Sequence, residues 1–171
     1  MIKKSFFNLY RLARKGKTFY MLLAVFFFFV CPSSAQDITK ELLPASIAGM
    51  ELKEVVSGEE AARIINRMHQ GEVATHSDFI AEYRGEPGEA TYYLSLYEQP
   101  EQAVLAMEDM ARVMKKEGHG FSHLMSRVHN DKVFYMALGQ GQAHYFFARG
   151  VELVWLAVDT EIAEQAILDV L

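Results

Sequence analysis

Four apolar, strand-patterned segments follow one another between Phe121 and Val158, with almost nothing between them. They are Phe121–Val128, Val133–Leu138, Ala143–Ala148 and Val151–Val158. Their links are Asn130-Asp131, Gly139-Gln140-Gly141 and Arg149-Gly150. A parallel pairing needs a crossover of roughly a dozen residues or more, which none of these links can supply. Gly, Asn and Asp in such short links are instead the residues of tight hairpins. The segment therefore predicts a four-stranded antiparallel meander, and the rest of the chain has to pack around it.

The upstream half alternates between the two periodicities. Asp37–Leu43 reads as a short helical turn stopped by Pro44, and Glu51–Val56 as a short strand. Ser57 and Glu60 have the spacing of a capping box. The helix they open places Ala61, Ile64, Ile65 and Met68 on one face and ends near Gly71. Asp78–Arg84 and Thr91–Glu98 alternate as strands around a Gly85–Gly88 turn. Pro100 suits the first turn of the next helix and Gly118 its far end. That helix turns Val104, Met107, Ala111 and Met114 inward. After the meander, Asp159 is placed to cap a last helix over Glu161–Leu171.

The order βαββαββββα predicts one α+β domain over residues 51–171, an antiparallel sheet with helices mainly on one face. Residues 36–50 form a lead-in. The first six elements also match the order of a ferredoxin-like unit.

A two-residue loop at Arg149-Gly150 would set Ala148 opposite Val151 and His144 opposite Trp155. Carried through the other turns, it sets Ala137 beside His144 and Leu124 beside Ala137. One face then holds Leu124, Tyr135, Ala137, His144, Phe146, Leu153 and Trp155. The other holds Phe121, His123, Met125, Phe134, Met136, Tyr145, Phe147, Val154 and Leu156. Neither is polar, whereas a meander commonly leaves one face wet. The Met- and Phe-rich face is the expected helix-covered core. Tyr135, His144 and Trp155 offer an apolar floor with polar tips, which suits a binding cleft. The competing reading makes Trp155 and His144 ordinary core residues with satisfied ring nitrogens.

Residues 1–35 differ in kind. They hold Lys3, Lys4, Arg11, Arg14, Lys15 and Lys17 and no acid, then an unbroken apolar run over Phe19–Cys31. That run suits a signal h-region and falls short of the roughly 20 residues that span a bilayer. Pro32-Ser33-Ser34-Ala35 puts small residues before a cleavage between Ala35 and Gln36. The expectation is a cleaved export signal and a periplasmic or secreted body. An uncleaved leader would anchor the body to the inner membrane, its one membrane contact. Removing those six bases from the 17 Lys and Arg leaves 11 against 22 acids in Gln36–Leu171, a net charge of −11. Such a body repels phosphate backbones, which argues against nucleic-acid binding. Cys31, the sole Cys, lies in the leader. The mature domain would have no disulfide, thiol nucleophile, Cys-ligated zinc or iron–sulfur cluster.

No catalytic motif is present: no G-x-S-x-G elbow, no P-loop and no kinase set. Ser122 with His123, or Ser95 with a distant His, lacks an oxyanion-hole context. The histidines His69, His76, His119, His123, His129 and His144 include no H-E-x-x-H. In an extended strand His119 and His123 would stand about 13 Å apart, too far to share an ion. Met107, Met110 and Met114 read as core filling. No cofactor and no metal ligand set is expected.

The body resembles a family of exported bacterial domains of unknown function. The resemblance rests on Leu43-Pro44 through Gly49, Ile65-Asn66 through Val73, Phe79–Tyr83, Tyr93–Tyr97, Gln142–Phe147 and Val154-Trp155-Leu156. It implies export and this fold, carries no catalytic residue, and marks Asn66, His69 and His144 as positions to test. The functional expectation is an exported, non-catalytic domain that binds a small apolar or aromatic ligand, or a protein partner, at Tyr135, His144 and Trp155. A histidine site for copper or zinc and a hydrolase without a local motif are the alternatives.

Overall fold

A computed structural model of the chain describes residues 42–69, 73, 75–116 and 120–171. The leader, its cleavage position, the turn expected over Asp37–Leu43 up to residue 41, and Gly118 and His119 lie outside the described residues. The fold is an α+β domain on one antiparallel sheet. Its strands are β1 (Ser46–Ile47), β2 (Met50–Ser57), β3 (Ser77–Gly85), β4 (Gly88–Leu96), β5 (Phe121–His129), β6 (Lys132–Gly139), β7 (Gln142–Arg149) and β8 (Glu152–Asp159). Among the described residues three helices pack against it: α1 (Glu59–His69), α2 (Pro100–Met114) and α3 (Ala163–Val170). The spatial order is β1-β2-β3-β4-β8-β7-β6-β5. Each half is thus a local meander, and β4 meets β8 at the seam. Every described pair is antiparallel, β2 with β3 included. The ferredoxin-like match of element order is therefore a coincidence, since that arrangement depends on parallel central strands.

Three turns settle the register of the meander. Asn130-Asp131 and Gln140-Gly141 carry positive φ at both central positions, the form that matches strand twist. The third loop is Gly150-Val151, because Arg149 pairs with Glu152. His144 accordingly faces Ala157, and Trp155 faces Phe146. This differs by two residues from the register expected for an Arg149-Gly150 loop. A shift of two keeps every side chain on its face. The face assignments for β6, β7 and β8 therefore stand, and Ala137 does pair with His144.

The exception is the start of β5. Ser122 pairs with Leu138 but Met125 pairs with Met136, so one extra residue is taken up between them. His123 adopts φ +57 there. This bulge turns Phe121 onto the face of Trp155, opposite to its expected side.

Both faces are buried, by different elements. On one, α3 with Leu43, Ile47 and Met50 packs against Tyr83, Tyr92, Leu94, Tyr145, Phe147, Val154, Leu156 and Val158. The backbone N–H of Ala48 donates to Asp169 Oδ2 at 2.7 Å and ties the β1–β2 turn to α3. On the other, α2 packs Met107, Met110 and Met114 against Ala137, Phe146 and Leu153. There too α1 sets Ala61 and Ile65 against Ile80. The two longer helices thus cover the Tyr135/His144/Trp155 face, which the sequence reading left open. Both faces are apolar enough to bury, and the links to α1 and α2 happen to cross on this side.

Two helix starts also differ from expectation. The Gly58 carbonyl accepts the first helical bond from Ala62 N–H, so Gly58 caps α1 and Ser57 stays in the β2 ladder. A 3-10 turn, Thr160–Ile162, separates Asp159 from α3. The Asp159 carboxylate instead accepts the N–H of Glu89 at 2.9 Å. It lies so near Gly88 that a Cβ there would stand 2.7 Å from its Oδ2. Among the described residues no helix is long and apolar enough to cross a membrane.

Candidate functional site

Tyr93, Trp155, Phe146 and Tyr135 are successive cross-strand neighbours on β4, β8, β7 and β6. Their side chains form one aromatic row under α1 and α2. Tyr135 stacks on Phe146 at 5.1 Å and 14°, and Phe146 on Trp155 at 5.9 Å and 28°. Phe121, brought round by the bulge, meets His144 edge-on at 4.9 Å and Trp155 at 5.7 Å.

His144 is fixed on both sides. Trp155 Nε1–H can only donate, and it donates to His144 Nδ1 at 3.1 Å. That leaves the proton on Nε2, which donates to the Gly139 carbonyl at 3.0 Å. The ring is buried, and desolvation holds its pKa below the ordinary histidine value, against the pull of the Gly139 carbonyl. A neutral imidazole with both nitrogens engaged neither ligates a metal nor offers a group to a ligand. Its role is to hold the indole in place.

Between α1 and α2 the floor is incompletely covered. A crevice of about 20 Å³ remains, lined by Ile65, Met68, His69, Tyr93, Ser95, Met110, Leu153 and Trp155. That is room for roughly one water molecule. Trp155 and Tyr93 are half-buried on its floor, and Met68 is exposed at its rim.

One end of the crevice is polar. Asp78, 3% exposed, accepts Ser95 Oγ–H at 2.6 Å on Oδ1 and Thr75 Oγ1–H at 2.6 Å on Oδ2. Desolvation lowers the pKa of His69, opposed by the nearby Asp78 charge. Burial, then that same charge, pushes the Tyr97 phenol up. Its hydroxyl is buried and has no hydrogen-bond partner among the described residues. Asn66 Oδ1 accepts the N–H of Val73 at 2.8 Å, which folds the α1–β3 link back onto its helix.

The five residues singled out from the sequence therefore do not form one site. Trp155 and His69 line the crevice, His144 lies behind the indole, Tyr135 sits two strands away, and Asn66 braces a loop. Asp78 and Ser95 were missed as a pair. Their one sequence signal is polar residues at inward positions of β3 and β4, and Asp78 at a strand start reads equally well as a turn residue. Ser95 donates its hydroxyl to Asp78, and among the described residues no hydrogen bond joins it to a histidine, as a Ser–His–Asp relay would need. Among the described residues no group of three or more His, Cys, Asp or Glu is placed to hold a metal ion. No family model, no curated protein and no solved structure matches the chain.

Proposed function

We propose that the chain is an exported, non-catalytic binding domain that takes an apolar or aromatic group of its ligand into the crevice between α1 and α2. The observation that supports this is the sole Trp, half-buried on the floor of a gap between two helices. A large aromatic with a wet edge, placed between two helices, suits recognition of an apolar group. The neighbouring Met68 and Met110 are flexible enough to reshape around a guest.

At about 20 Å³ the gap admits a water, so an aromatic guest requires one wall to yield. The yielding wall is α1, whose buried contact is the small cluster of Ala61, Ile65 and Ile80. His69 and Ser95 give the polar end that would orient the guest. His144 is no metal ligand in this reading, because it spends both ring nitrogens inside the fold. Ser95 is likewise assigned no nucleophilic role, because its hydroxyl donates to Asp78.

Trp155 is itself the probe. Anilinonaphthalene sulfonate titrated into the protein should accept excitation energy from Trp155, and Met68→Glu, at an exposed rim position, should weaken binding of this anionic probe at least about tenfold with the circular dichroism unchanged. Dye binding without energy transfer, or equal binding by the variant, would overturn the proposal.

A further inference from the structure

The sheet ends in two unlike edges. At one end β2 is shortened as a template: β1 covers Met50 and Glu51, the ladder bulges at Lys53, and Glu51, Lys53 and Glu54 point charge outward. These are the usual devices against strand addition. At the other end β5 runs for nine residues, and among the described residues no strand lies on its outer side. From Ser126 to His129 every β5 residue is exposed, with Met125 37% and Val128 69% exposed. Its single bulge, at His123, lies near the start and leaves Met125–His129 in regular register with β6.

The two-residue turn fixes which backbone groups face out. His129 and Lys132 close the hairpin as a hydrogen-bonded pair, so the alternation engages Arg127 and Met125 with β6. Ser126 and Val128 then direct N–H and C=O groups away from the sheet. The electrostatics here run against the rest of the body. Between Gly118 and Val151 the only acid is Asp131, in a chain where acids outnumber bases. Arg127 and Lys132 are exposed and pair with no carboxylate among the described residues.

We propose that the outer edge of β5 is a strand-addition site for an extended, acidic segment of a protein partner. Main-chain bonds to Ser126 and Val128 supply the pairing, Arg127 and Lys132 on one face select carboxylates, and Val128 on the other face takes the alternate apolar side chains. A second copy of β5 is a poorer occupant, because β5 has no acid to set against Arg127. The acidic β2 of a second copy is already obstructed by β1 and its bulge.

The test uses protein produced from the full chain and a fluorescent nine-residue peptide of alternating valine and glutamate, with a valine–lysine counterpart. Fluorescence anisotropy should show the glutamate peptide binding at least about tenfold more tightly, weakening as salt rises. Arg127→Glu with Lys132→Glu should reverse the preference. Ser126→Pro removes an outward N–H from an edge position that tolerates proline, and should reduce binding at least about tenfold while Trp155 emission stays unchanged. Equal affinity for the two peptides, undiminished binding by Ser126→Pro, a mass that doubles with concentration through β5, or capture by anionic phosphatidylglycerol vesicles in place of the peptide would each overturn it.

Discussion

His144 shows how one buried side chain links structure to acidity. Its Nδ1 must stay unprotonated to accept from Trp155, so the fold selects the neutral ring. The pKa is accordingly lowered, by desolvation first, and that of His69 is lowered for the same reason. An unfolded chain, whose histidines titrate near about 6.5, takes up these protons at a higher pH than the fold does. The contribution is therefore complete above about pH 6.5 and is lost as the pH falls through the lowered folded values. His144→Phe leaves the indole N–H without its acceptor, and should cost about 1–3 kcal/mol near neutral pH. It should also flatten the loss of stability on acidification. Urea midpoints followed by Trp155 emission from about pH 7.5 to about pH 5 check both, and an unchanged acid slope in the variant would refute the assignment.

At the scale of elements, two glycines of one hairpin separate backbone strain from site geometry. Gly141 has φ +82 and open space around its missing side chain. Gly141→Ala should cost roughly 1–2 kcal/mol through its backbone conformation alone and leave Trp155 emission in place. At Gly139 a Cβ would meet Phe121 Cδ1 at 2.5 Å and the Gly120 carbonyl at 2.9 Å. Gly139→Ala must therefore displace Phe121, whose ring packs on His144 and Trp155. Its signature is a shifted emission maximum as well as a lower midpoint. Phe121 also marks where sequence reading reaches its limit. The meander was legible because links of two residues permit only hairpins, and a loop misplaced by two still kept side chains on their faces. The bulge at His123 was not, since a one-residue insertion arises from pairing with β6 and leaves the alternation of apolar residues intact. Nor was the face chosen by α2, because the methionine stripe fits either apolar side of the sheet. The same holds at the site: Trp155 was legible as a lone aromatic on a strand, whereas the bond between Asp78 and Ser95 joins residues distant in sequence.

Across the whole molecule, one sheet separates two cores, and the same strands serve both. In β7 Phe146 faces α2 and Phe147 faces α3, and in β8 Leu153 and Val154 divide the same way. Neither core can be dismantled while the other keeps β7 and β8 in place, so α2 and α3 are coupled through shared backbone without touching. This argues for a single cooperative transition in the part of the sheet built on β4, β8 and β7. Met107→Ala on one side and Ile167→Ala on the other remove comparable buried side chains, 8% and 4% exposed. Each should cost about 2–4 kcal/mol. Each should also move the urea midpoint read by Trp155 emission and the one read by far-ultraviolet circular dichroism by the same amount, although Trp155 lies only on the α2 side. If Ile167→Ala lowers the dichroism midpoint and leaves the Trp155 midpoint where it was, the two cores melt independently. The crevice would then owe nothing to α3. Coincident shifts would instead mean that a guest prising α1 from the floor works against the stability of the joined sheet.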